Sequence, residues 1–211
     1  MDKTTKTVIE AYNQSIKEYY KNTRNLEPPE IEFRKEFIAL LKNKGKILDV
    51  ACAFGRDSKI FSDAGLKVVG VDLADKAIEK ARIMVPKAKF FVKDIRYLDF
   101  KPESFDGVWF NAGLISIEKK FALKVLKDLC RILKPEGILF VGVKQGSGEG
   151  LELDKRYGVE KYYAYYSEEE LKGLLNQAGF EHIKTIIPDL KSSYHTHKWI
   201  DVFCRKPAEG I

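Results

Sequence analysis

Two acids end two short apolar runs in this chain. Asp49 lies in Ile47-Leu48-Asp49-Val50 and Asp72 ends Val68-Val69-Gly70-Val71-Asp72. A turn of small residues, Ala51-Cys52-Ala53-Phe54-Gly55, follows the first run, and Arg56-Asp57 then opens a polar segment. A carboxylate at a strand tip offers two acceptor oxygens and can take both hydroxyls of a ribose diol. Small residues let the backbone approach such a ligand, and a helix starting near Arg56 would aim N–H groups at the same space. A parallel α/β sheet builds a nucleoside pocket from these parts.

The elements that must position these residues follow from periodicity. Val8, Ile9, Tyr12, Ile16, Tyr19 and Tyr20 predict a helix over 3–22. Pro28-Pro29 breaks it and can start a second helix, marked by Ile31, Phe33, Phe37, Ile38 and Leu41 and closed near Gly45. From Lys46 strands and helices alternate. Strands are expected at 47–50, 67–71, 89–93, 105–110 and 138–143, and helices at 56–64, 75–85 and 117–133. The strands are apolar on both faces, which fits a parallel sheet covered by helices on each side. Gln145–Gly150 reads as a flexible loop past a strand's carboxyl end. Ser167-Glu168-Glu169-Glu170 reads as a capping box before a helix stopped at Gly179. Segments 180–187 and 197–205 follow with only a loop between them, which predicts an antiparallel edge pair.

Composition narrows the class. In 211 residues, Lys+Arg 37 against Asp+Glu 31 gives a net charge of +6, and 45% of residues are hydrophobic. The charges alternate without a block of like sign, so nucleic acid is not the expected partner, although salt-sensitive RNA binding stays open. Cys52, Cys130 and Cys204 are odd in number and widely spaced, which argues against a disulfide framework or a structural zinc site. Met1-Asp2-Lys3-Thr4 opens without an apolar leader, and no run reaches the ~20 residues of a membrane span. The expectation is a cytoplasmic chain with no membrane partner; oligomeric state is not legible. His195-Thr196-His197 places two imidazoles close together, but no third or fourth ligand is in sight, so no metal is assigned.

Five segments in register resemble the class I S-adenosylmethionine-dependent methyltransferases. They are Ile47–Gly55, Val69–Leu73, Phe91–Ile95, Ser104–Asn111 and Leu133–Leu139. The resemblance implies a Rossmann-like, doubly wound, seven-stranded and mostly parallel sheet over 46–211, with an antiparallel last strand and helices on both faces. It implies an N-terminal helical lid over 1–45. The activity implied is transfer of a sulfonium methyl, by in-line displacement, from S-adenosylmethionine to a small-molecule acceptor, leaving S-adenosylhomocysteine. The family's loop usually carries glycine where Ala51 and Ala53 stand; alanine is small but resists positive φ, so the loop can pass close to a ligand if these positions hold ordinary backbone angles.

The same resemblance assigns roles. Asp72 would accept from the ribose and Leu73 would pack on the adenine. Asp94 would accept from the adenine amine, with the Ile95 N–H donating to the ring. Asp49, Asn111 and Tyr19 would surround the methionine portion, and the backbone at Ala51, Ala53 and Gly55 would approach the ligand. Arg56 would hold a carboxylate or pair with Asp57. No catalytic base is legible. Tyr157, Tyr162, Tyr163, Tyr165 and Tyr166 read either as core packing or as the wall of a pocket for an apolar or cationic acceptor. Three rivals stay open: a non-catalytic S-adenosylmethionine-binding protein, an RNA methyltransferase, and an NAD-dependent oxidoreductase. The last lacks its G-x-G-x-x-G fingerprint.

Overall fold

Each apolar run alternates its side chains between two cores, and one sheet separates them. The computed structural model describes residues 3–42, 45–188 and 197–208. The strands are β1 (Lys46–Val50), β2 (Lys67–Asp72), β3 (Lys89–Val92), β4 (Phe105–Asn111), β5 (Leu133–Lys144), β6 (Glu149–Asp154), β7 (Val159–Ala164), β8 (Glu181–Ile186) and β9 (Trp199–Arg205). The helices are α1 (Lys3–Thr23), α2 (Pro28–Leu40), α3 (Arg56–Asp63), α4 (Asp75–Met84), α5 (Ala122–Ile132) and α6 (Glu168–Gln177). The seven-stranded sheet runs β3-β2-β1-β4-β5-β9-β8. Its first five strands are parallel, and β9 is antiparallel to both β5 and β8. This is the expected Rossmann-like architecture with an antiparallel last strand. The order reverses between β1 and β4, so a crevice opens at their carboxyl ends.

Leu48, Val108, Phe110, Leu139 and Val141 enter one core with α5 and α6. Ile47, Trp109, Phe140 and Phe203 enter the other with α2 and α3. The second core is aromatic. The Trp109 and Phe140 rings stack 3.8 Å apart, and Phe37 and Phe61 meet Trp109 at 5.3 and 5.2 Å. The two helices of the 1–45 segment therefore differ in setting. Phe33 and Phe37 of α2 are buried beneath the sheet, whereas Tyr19 of α1 borders the crevice.

The structure departs from the sequence reading in two places. The helix expected over 117–133 begins only at Ala122, because residues 114–116 and 119–121 form separate single turns. The segment read as a loop from Gln145 leads into a hairpin, with β6 paired to β7 from Glu149↔Ala164 to Asp154↔Val159. β6 sets Leu151 and Leu153 on one exposed face and Glu152 and Asp154 on the other, a short alternation that directly follows the glycine-rich run. The capping serine behaves as expected: Ser167 Oγ accepts from the Glu170 N–H at 3.1 Å. The Glu170 carboxylate instead takes Lys119 at 2.8 Å.

Phe37→Ala should cost ~3–5 kcal/mol, the range for deleting a buried Phe side chain. Urea unfolding measures this; a loss below about 1 kcal/mol would show that the aromatic core collapses around the gap.

Candidate functional site

The crevice is set by how the Asp72 carboxylate is held. Its Oδ2 accepts from the Ala53 N–H and its Oδ1 from the Ala74 N–H, both at 2.9 Å. One acid thus ties the turn after β1 to the turn after β2. Burial raises its pKa while these amides pull against the rise. The Leu73 N–H pulls in the same direction, and Asp72 lines the crevice.

The tie holds a strained loop. Ala51 has φ 57° and Ala53 φ 46°, both left-handed. The condition of ordinary backbone angles at the two alanines is therefore not met. Left-handed geometry costs an L-residue roughly 1–2 kcal/mol. Gly55 also sits there, at φ 81°, and caps α3. Ala112, past Asn111, adds a third left-handed alanine at φ 62°. Small side chains keep the floor open: Ala51, Ala53, Ala74, Ala112 and Gly113 line a crevice of about 620 Å³, mouth included, with Tyr12, Tyr19, Leu73, Ile95 and Asn111.

Beneath the loop lies a buried charge cluster. Arg34 Nη2 donates to both oxygens of Asp57, at 3.0 and 2.9 Å. Trp109 Nε1 donates to Asp57 Oδ2 at 2.9 Å and Arg56 Nε to Oδ1 at 2.9 Å. Burial alone would raise the Asp57 pKa, but the two guanidinium charges and these hydrogen bonds hold it well below the usual carboxylate range. Asp49 is pushed the other way, to about 8, by burial and by the Asp57 charge, against a 2.6 Å bond from Ser58 Oγ.

Nine of the expected site residues line the crevice or its extension; Asp94 and Gly55 do not. Asp72, Leu73, Ile95, Asn111, Tyr19, Ala51 and Ala53 line the main crevice. Asp49 and Arg56 line its extension under Tyr19 and Phe54. Arg56 pairs with Asp57 and also donates to the Thr23 carbonyl at 2.7 Å, so pairing accounts for its guanidinium. Asp94 stands apart. Its carboxylate accepts from the Arg96 N–H at 2.9 Å and from the Arg96 guanidinium at 2.6 Å, and it is not among the lining residues. Its neighbour Ile95 is. His195 and Thr196 lie outside the described residues. His197 faces the Tyr165 ring at 5.2 Å, and no group of metal-ligating side chains occurs among the described residues.

Sequence reasoning missed Asp201. It pairs in register with Gly142, which in turn pairs with Asn111. A Cβ on Gly142 would meet Asn111 Oδ1 and Asp201 Oδ1 each at 2.6 Å, so only glycine lets these polar groups share the sheet surface. Asp201 is 4% exposed and lines a polar branch of the crevice with Arg34, Arg56 and Glu30. Burial raises its pKa to about 7. The signal was an acid inside the apolar run Ile200-Asp201-Val202-Phe203.

A switch-point crevice, an acid at the β2 tip and a terminal antiparallel strand pair define the class I methyltransferase fold. The comparisons agree. Residues 47–137, from β1 to the start of β5, match the family model described as a methyltransferase domain. A demethylmenaquinone methyltransferase of Renibacterium salmoninarum is 33% identical over 96 residues, 46% of this chain and 40% of that protein. The chain spans about half the length of the curated relatives it matches. Among solved structures, a SAM-dependent methyltransferase of Methanosarcina mazei superposes with TM-score 0.74 at 23% identity, over 88% of this chain and 100% of that one. The 1,6-didemethyltoxoflavin-N1-methyltransferase of Burkholderia thailandensis, solved with its substrate and S-adenosylhomocysteine, gives 0.71 at 21% identity, over 94% and 88%.

Two outcomes follow from this geometry. Ala53→Gly should be neutral to about 1 kcal/mol stabilising in urea unfolding, because relieved left-handed strain offsets the added unfolded-state entropy. A loss of 1 kcal/mol would deny the strain. A raised folded-state pKa means that the native state holds the Asp201 proton longer than the unfolded chain does, so its contribution to stability falls as pH rises from about 4 toward 7. Asp201→Asn should lose less stability than wild type between pH 5 and pH 8; parallel profiles would contradict the assignment.

Proposed function

We propose that this chain is an S-adenosylmethionine-dependent methyltransferase acting on a small-molecule acceptor. The observation that carries the reading is the Asp72 carboxylate, which is held by backbone amides of the two turns and lines the crevice. The residues fit an adenosyl group. Asp72 would take the ribose hydroxyls. Leu73 and Ile95 would flank the adenine, and the floor of small residues would lie beneath the ligand. Tyr19, Asn111 and Asp49 would border the amino-acid portion. A ligand ammonium beside Asp49 would favour its charged form, against the rise that burial and the Asp57 charge impose.

When bound, S-adenosylmethionine supplies a methyl group on an already activated sulfonium. The protein's task is then proximity, orientation and exclusion of water, effects that reach ~7–11 kcal/mol in favourable systems. Helix α1 serves as the lid in this reading. It brings Tyr12 and Tyr19 over the crevice and is tied to the body by Asn13 donating to Asp75 at 2.7 Å and by Arg56 donating to the Thr23 carbonyl. The absence of G-x-G-x-x-G from the loop and the antiparallel end of the sheet favour this reading over a nicotinamide enzyme. The small-molecule assignment draws support from the enclosed crevice beneath α1. No helix among the described residues is long and apolar enough to cross a membrane.

Asp72→Ala should weaken S-adenosylhomocysteine binding by roughly 10- to 150-fold, the equivalent of losing ~1.5–3 kcal/mol of charged hydrogen bonding. Calorimetric titration reads this directly, and unchanged affinity in a folded variant would contradict the proposal.

A further inference from the structure

A second crevice of about 430 Å³ adjoins the first and shares Tyr12, Tyr19 and Ala112 with it. Its far wall is made by the β6–β7 hairpin and the end of β5. Three cations line it: Lys144, Arg156 and Lys161. Lys144 and Lys161 are 5% and 3% exposed, which is rare for lysine. Burial lowers the pKa of each to about 8.

The acids around this wall do not balance it. Asp154 accepts from Arg156 through both oxygens at 2.8 Å and from Tyr163 Oη at 2.7 Å, and Lys161 stands 3.7 Å away. Glu152 accepts from Tyr165 Oη at 2.8 Å. Among the described residues no carboxylate or carbonyl accepts a hydrogen bond from Lys144 Nζ; it lies 3.5 Å over the Tyr163 ring. Lys161 Nζ lies 4.0 Å over the Tyr157 ring and 4.5 Å over Tyr12. The tyrosine faces that could have received a cationic acceptor are thus taken by the protein's own ammonium groups. A positively charged acceptor would meet the Lys144 ammonium, which no carboxylate among the described residues pairs, and the Lys161 ammonium in the same crevice, which is costly at a desolvated site.

Resting on the methyltransferase reading, we propose that the acceptor carries an oxyanion, a carboxylate or a phosphate, seated between Lys144, Lys161 and Arg156. An oxyanion supplies the acceptors that Lys144 lacks, and charge-assisted bonds to lysine are about twice as strong as neutral ones. The tyrosine rings behind the lysines hold the ammonium groups in place before the ligand arrives, which lowers the ordering cost of binding.

The test uses four probes of similar size: benzoate, phenyl phosphate, benzyl alcohol and benzylamine. Each is titrated calorimetrically at low ionic strength into the protein, with and without saturating S-adenosylhomocysteine. One or both anions should bind about 10-fold or more tightly than the alcohol, with the amine weakest. Benzoate against phenyl phosphate tells a carboxylate site from a phosphate site. Lys144→Met should remove the preference, Lys144→Arg should restore most of it, and S-adenosylhomocysteine affinity should stay the same in both. Anions that bind no better than the alcohol, or a preference that survives Lys144→Met, would overturn the inference. Failure of S-adenosylhomocysteine to bind wild type would instead overturn the methyltransferase reading, and the ligand-free titrations still report on the anion site.

Discussion

The two hydrogen bonds from Ala53 and Ala74 to Asp72 are the constraint on which the crevice depends. They join the turns that follow neighbouring parallel strands, so the floor of the crevice cannot shift without breaking a charge-assisted bond at a partly buried acid. They also compensate the left-handed backbone at Ala51 and Ala53. Strain of this kind persists only where the surroundings over-determine it. Here the same carboxylate that holds the loop can accept from a ligand, so ligand binding needs no rearrangement of the loop.

A second set of contacts fixes the loop from below. Asp57 gathers Arg34 of α2, Arg56 of α3 and Trp109 of β4 within hydrogen-bond distance. Such a cluster is weak evidence for stability, since desolvation offsets much of the attraction. Its evident consequence is positional: α2, α3 and β4 are locked at one point under the crevice. Burial and then the Asp57 charge raise the Asp49 pKa, and both acids line the same extension of the crevice.

The parallel core of the fold was legible because each strand is a short apolar run closed by a small or acidic residue, as in Val68–Asp72. The crevice floor was legible for the same reason, with Asp72, Leu73 and Asn111 just past strand ends. Other features were not. The αL geometry at Ala51 and Ala53 is hidden because alanine gives no sign of it; only the tether from Asp72 reveals it. The β6–β7 hairpin follows a glycine-rich run and leaves Leu151 and Leu153 exposed, so its strands read as a loop and a tyrosine-rich stretch. The pairing of Asp94 with Arg96 depends on a turn that folds the guanidinium back by two residues. Asp201 and the lysine-lined wall were missed because their significance lies in neighbours far away in sequence.

The account as a whole turns on whether an adenosyl group settles on Asp72. A crystal structure of the S-adenosylhomocysteine complex tests this most directly. Both ribose hydroxyls should lie within hydrogen-bond distance of the Asp72 carboxylate, with residues 51–55 unmoved and the Ala53 and Ala74 bonds intact. Adenosyl density elsewhere in the molecule, or an Asp72 still bonded to those two amides alone, would contradict it.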